Sequence, residues 1–154
     1  MLTSKTVFMA SCDVNGCPSM GYEEDALEIL MRNIGYAGWQ VIGAGATFCF
    51  YHKLHREATS LIESHRYNIV VPIIHWSDYS VSSLYQVAEG ENVLDADKIL
   101  LDVPYTFQDF RNKHRRGASY PVKVEIAGFR SILELDNYCK SAKIANRARG
   151  NVYD

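Results

Sequence analysis

The side chains best equipped for chemistry fall into a few groups. Cys12-x4-Cys17, with His52, His55 and His65 further along, offers the thiolate and imidazole donors that zinc takes. The spacing of the two cysteines lies at the wide end for a metal knuckle, and no second cysteine pair stands nearby, so no metal is expected. Cysteine nucleophilic catalysis would need a histidine base, and spacing assigns none. The stretch "FYHKLHREATSLIESHRYNIVV", residues 50–71, gathers Tyr51, His55, Arg56, Glu57 and Glu63 before an apolar run. "GAGATF" suggests a dinucleotide loop, but it lacks a third glycine and a helix opening there, and close strand packing explains it better. The basic run Arg111, Lys113, Arg115 and Arg116 has no RNA-binding aromatic signature beside it, so it reads as a solvated face and nucleic acid is not expected.

Composition narrows the classes. A chain of 154 residues suits one domain with a real core, and a formal charge of −2 gives no general attraction to nucleic acid or anionic membrane. The four cysteines, Cys12, Cys17, Cys49 and Cys139, read as free thiols of a reducing cytoplasm. No apolar stretch reaches membrane-spanning length and the N-terminal residues lack the three regions of a secretory leader, so a cytoplasmic protein is expected.

The elements that position these groups follow from periodicity. Lys5 to Ser11 predicts a strand, and the Asn-Gly and Cys-Pro steps after it predict a turn. Glu23 to Ile34 predicts a helix, with Leu27, Leu30, Met31 and Ile34 at helical spacing and Gly35 as its stop. "WQVIGAGATFCFY" predicts a second strand with a small-residue centre, Gly43 to Ala46. Tyr67 to Ile74 predicts a buried strand whose Pro72 argues for an edge or a bulge. Val81 to Ala88 predicts a second helix, and Lys98 to Val103 a fourth strand. The order β-α-β-β-α-β predicts an α+β, ferredoxin-like fold with core residues 5–105 and a C-terminal extension 106–154, all one domain.

Residues 52–65 have two readings. As a helix they place Leu54, Ala58, Leu61 and Ile62 on one side. As a loop they form an oversized connection where this fold normally has a short hairpin, and long connections are often functional.

Long excursions at that point occur in trimeric PII-like proteins, and here the layout resembles the bacteriophage S-adenosylmethionine lyases. Chain length, the polar Cys- and Asn-containing turn after the first strand, Tyr51 with Arg56-Glu57-Ala58, and Glu63 before the next strand carry the resemblance, which spans about residues 5–105. It implies a homotrimer in the host cytoplasm that cleaves S-adenosylmethionine to 5′-methylthioadenosine and homoserine lactone, with no metal or cofactor, in the service of anti-restriction. Glu63 and Tyr51 would be the catalytic pair, with Glu57 as the alternative acid. Gly43, Gly45 and Ala46 would pass close to the adenosyl group, and Thr106 and Gln108 would contact substrate from a neighbouring subunit. A sulfonium cation is stabilised by carboxylates and aromatic faces, so the residue types fit. Two other readings stand beside it: a PII-like module that binds a small nucleotide without turnover, and a phage protein that inhibits a host factor through the basic loop.

Overall fold

The computed structural model describes residues 1–43, 45–114 and 119–148. The protein is α+β with small antiparallel sheets. Its contacts divide it into two compact units, Met1–Lys53 and Leu54–Asp154. The boundary suggested by the sequence lay near residue 105.

The first unit is built from short pieces. Strands β1 (Phe8–Ala10) and β2 (Tyr22–Glu24) pair antiparallel, and β3 (Gln40–Ile42) pairs with β4 (Ala46–Phe48). Helix α1 (Leu27–Tyr36) lies between the two hairpins in sequence and starts later than its periodicity predicts. Residues 22–24 are strand instead, because Phe8, Met9 and Ala10 supply ladder partners that sequence periodicity cannot register. Leu30 and Ile34 of α1 are buried with Ala10, and Phe8, Tyr22 and Trp39 pack around them. The Tyr22 and Trp39 rings meet edge to face at 5.5 Å. Leu27 and Met31 of the same predicted stripe remain exposed.

Helix α1 runs past Gly35 and stops at Gly38. Gly38 has φ +82°, and a Cβ there would stand 2.6 Å from the Phe50 ring. Both the left-handed backbone and the ring demand glycine.

The predicted strand across residues 39–51 is a hairpin. Its turn holds Gly43 and Gly45 at φ +57° and +138°, and both are exposed. The Cys49 carbonyl accepts from Lys53 N–H at 2.8 Å, and α2 (Phe50–Glu63) begins there.

The stretch with two readings is therefore a helix. Leu54 and Ala58 are fully buried, and Leu61 and Ile62 are half-buried beside them. His65, at φ +56°, follows the helix in the left-handed conformation and donates its N–H to Ile62 O at 3.2 Å, which closes the last turn.

The second unit is organised by β5 (Ile69–Trp76), the middle strand of an antiparallel sheet ordered β6-β5-β7, with β6 Val81–Ser83 and β7 Pro121–Phe129. Every β5 residue except Trp76 is buried. Pro72 sits in this central strand. Its carbonyl accepts from Leu84 N–H at 2.9 Å, one residue beyond the end of β6, while β6 itself pairs with Ile73–His75. A residue's N–H and C=O point to the same side of a strand, so the donor that proline lacks faces the place where β6 stops. The bulge lies elsewhere, at His75/Trp76.

Two predicted elements exchange type. Val81–Ser83 is strand, drawn into the β5 ladder, and Trp76 Nε1–H donates to Ser82 Oγ at 3.3 Å. Lys98 to Val103 is helical: α3 (Ala96–Leu100) is capped by Asp95, whose carboxylate accepts from Asp97 and Lys98 N–H. Helix α4 (Val103–Lys113) follows with Pro104 in its first turn, and α5 (Ile132–Ala148) completes the unit. Among the described residues no helix is long and apolar enough to cross a membrane.

The constraint on Gly38 gives a direct test. Gly38→Ala should destabilise the protein by about 1–3 kcal/mol through left-handed strain and the Phe50 clash. Urea unfolding followed by tryptophan fluorescence reads the loss, and an unchanged midpoint would show that residue 38 is not constrained.

Candidate metal centre

One cluster of chemically capable side chains converges, and it lies wholly within the first unit. Cys12 and Cys17 come from the β1–β2 connection. Cys49 lies between β4 and α2, and His52 is in the first turn of α2.

Backbone bonds hold the two segments together. Asp13 N–H donates to Thr47 O at 2.9 Å, and Thr47 N–H donates back to the Asp13 carboxylate at 2.7 Å. The Thr47 hydroxyl donates to the Ser11 carbonyl. These bonds pin the residues flanking Cys12 to the strand that delivers Cys49. A turn closed by Cys17 N–H to Val14 O, at 3.1 Å, brings Cys17 back toward Cys12, with Gly16 at φ +77° supplying the left-handed step.

The donor atoms of the four residues all lie within 4.8 Å of one another. Cys17 Sγ stands 3.8 Å from Cys49 Sγ, and His52 Nδ1 stands 3.5 Å from Cys12 Sγ and 3.2 Å from Cys49 Sγ. Tetrahedral zinc, with Zn–S of about 2.3 Å and Zn–N of about 2.0–2.1 Å, requires S···S edges of about 3.8 Å and S···N edges of about 3.6 Å. These three separations lie within about 0.4 Å of the edges of such a tetrahedron, and the other donor pairs lie within 4.8 Å. The sulfurs are too far apart for a disulfide, and all four cysteines of the chain are free thiols.

The local electrostatics differ across the cluster. Burial pushes the Cys49 thiol up from its ordinary pKa, so its anion is disfavoured without a nearby positive charge. At Cys17 burial acts in the same direction but is outweighed by interactions with Ser19, and the thiol moves down. Ser19 N–H donates to Cys17 Sγ at 3.4 Å. Such N–H···S bonds commonly support metal-bound thiolates.

Cys12, Cys17 and His52 stood among the donors named in the sequence, where no metal was expected, and Cys49 is the member the fold adds. A Cys-x2-His step at a strand-to-helix junction was the available signal. His55 and His65 are not part of the cluster. His55 instead pairs with Asp97 at 3.1 Å.

The residues expected to handle a small substrate are dispersed. Tyr51 and Glu63 stand near opposite ends of α2, twelve positions apart, or about 18 Å of helical rise. Tyr51 packs edge-on against the His52 ring at 5.2 Å. Glu63 is exposed and lines an open concavity of about 560 Å³ together with His55, Arg56, Thr59, Ser60 and Ser64. Glu57 is half-buried on the same helix. Gly43, Gly45 and Ala46 are at the exposed β3–β4 turn, and Thr106 and Gln108 lie on α4, where Gln108 donates to Asn112 at 3.3 Å.

Two cations of the expected basic face are engaged within the chain: Arg111 lies over the Phe107 ring at 4.9 Å and Lys113 pairs with Asp109 at 3.0 Å. Arg115 and Arg116 lie outside the described residues.

Comparison with known protein families, curated proteins and solved structures gives no match, so the functional reading rests on the geometry of the chain's own side chains.

Proposed function

We propose that the protein is a zinc-binding protein whose N-terminal unit is organised by a Cys3His centre formed by Cys12, Cys17, Cys49 and His52. The observation that carries this reading is the convergence of four donors, from two separate segments, to within 4.8 Å of one another, with three of the pairs close to tetrahedral edge lengths. Four protein ligands close the coordination sphere, which is the pattern of a structural site and not of a catalytic one that keeps a position open for water. Three thiolates and an imidazole favour zinc over magnesium or calcium, which prefer oxygen.

The size of the unit supports the same role. Its core cluster has three buried residues, Ala10, Leu30 and Ile34. Units of about fifty residues with so little apolar burial usually depend on a metal or disulfides. Zinc also relieves the cost of ionising the buried Cys49 thiol.

The reduced protein should copurify with, or take up, one zinc ion per chain, measured by atomic emission. Chelation should abolish protease protection of residues 1–53 while leaving residues 54–148 resistant. Full protection of both units after complete metal removal would overturn the structural role. His52→Ala should lower zinc affinity at least tenfold in competition with a chromophoric chelator, whereas Cys139→Ser should leave it unchanged. Zinc competes with protons for the thiolates and the imidazole, so affinity should fall as pH is lowered, with proton release on binding detectable by calorimetry in buffers of different ionisation enthalpy.

A second reading, S-adenosylmethionine lysis by a ferredoxin-like, PII-like trimer, is favoured by the concavity that brings Glu63 beside Arg56 and three hydroxyl side chains. In that reading Glu63 orients the substrate's amino-acid end. The helical separation of Tyr51 from Glu63 means that Tyr51 of the same chain does not share its contact with the reacting atoms. Incubation with S-adenosylmethionine should then yield methylthioadenosine, and Glu63→Gln should abolish it while oligomeric state persists. No product at high enzyme concentration removes the lyase reading.

A further inference from the structure

We propose that the metal centre is a peroxide-sensitive switch in which Cys17 is oxidised first and Cys49 resolves it as a disulfide, expelling the metal. The inference rests on the zinc reading above and adds an order of events to it.

The two sulfurs occupy unequal positions. Cys17 is partly exposed on a turn, whereas Cys49 is only 2 % exposed. A small oxidant arriving from solvent meets the partly exposed thiols, Cys12 and Cys17, before Cys49, and thiol oxidation follows access as well as thiolate character. Cys49 Sγ lies 3.8 Å from Cys17 Sγ, already in contact. Forming the bond needs the sulfurs to close to about 2.05 Å. The turn that carries Cys17 contains Gly16, where an added Cβ would meet nothing within 4 Å. Cys12 Sγ stands 3.5 Å from His52 Nδ1, closer than Cys17 Sγ stands to Cys49 Sγ, and the imidazole competes for it.

The chemistry balances with hydrogen peroxide as the oxidant. The Cys17 thiolate attacks one peroxide oxygen, the O–O bond breaks, and Cys17 sulfenic acid and hydroxide form. The Cys49 thiolate then attacks the Cys17 sulfur, the S–O bond breaks, and hydroxide leaves. The two sulfurs lose two electrons in total, and the peroxide, with two protons, becomes two waters. Cys12 and His52 remain as ligands, too few to retain a four-coordinate structural ion, and zinc departs as the hydrated cation.

The test uses full-length Cys139→Ser, reduced and zinc-loaded, because this variant removes the one thiol outside the cluster. Zinc content is measured first, then hydrogen peroxide is added while a chromophoric chelator reports release, and the product is mapped by non-reducing peptide mass spectrometry. The expected result is loss of the bound zinc with a Cys17–Cys49 disulfide, reversed by a dithiol reductant plus zinc. Zinc that stays bound at peroxide levels that oxidise a free model thiol overturns the switch and leaves the zinc site standing. Release with Cys12 in the disulfide overturns the order of events. A reduced protein that holds no zinc overturns both the site and the switch.

Discussion

Three sulfurs and an imidazole nitrogen brought to one point are difficult to hold in an apolar-poor unit unless something binds them together. Thiolates repel one another, and the Cys49 thiol is buried enough to resist ionisation. The proposed zinc ion would turn that repulsion into attraction, and its ligands would then act as a crosslink between the β1–β2 connection and the start of α2. The paired bonds between Asp13 and Thr47 and the left-handed step at Gly16 all serve to place donors. The hydrophobic contribution of Ala10, Leu30 and Ile34 is small beside it.

The second unit relies on a different principle. Its central strand is apolar almost throughout, and burial of Val70, Val71, Ile73 and Ile74 supplies the driving force that the first unit lacks. Pro72 is compatible with this position because β6 is short. Polar fastening appears at the edges: Asn146, buried on α5, donates to the Tyr79 carbonyl at 3.1 Å, where Tyr79 holds φ +72°. Asp78 in the same turn accepts from the Ser80 hydroxyl and, at 3.0 Å, from Ser80 N–H, and the hydroxyl bond above all holds its carboxyl below its ordinary pKa.

Helix α2 shows what geometry adds to residue chemistry. Its aromatics, histidines and carboxylates left a helix and a ligand-binding loop both open. As a helix it separates them by rise and by face: His52 turns to the cysteines, His55 to Asp97, and Glu63 to solvent. Leu54 and Ala58 carry the packing role that the weak apolar stripe implied. The lengths and order of elements that suggested a ferredoxin-like arrangement depended partly on Val81–Ala88 and Lys98–Val103. In both segments, tertiary pairing or a cap decided the type against local periodicity.

The sequence by itself determined the α+β class, the apolar β5 strand and the helical core of α1, and it offered Cys12, Cys17 and His52 as candidate donors without bringing them together. Those features are local: side-chain periodicity, turn residues and short spacings are written along the chain. The tertiary structure alone decided that Cys49 joins them and that the four donors converge. Cys12 and Cys17 are separated from Cys49 and His52 by more than thirty residues, and the bonds of Thr47 to Asp13 and Ser11 hold the two segments together. A ligand set split between distant segments is fixed by backbone hydrogen bonds in three dimensions, and no one-dimensional spacing encodes that distance.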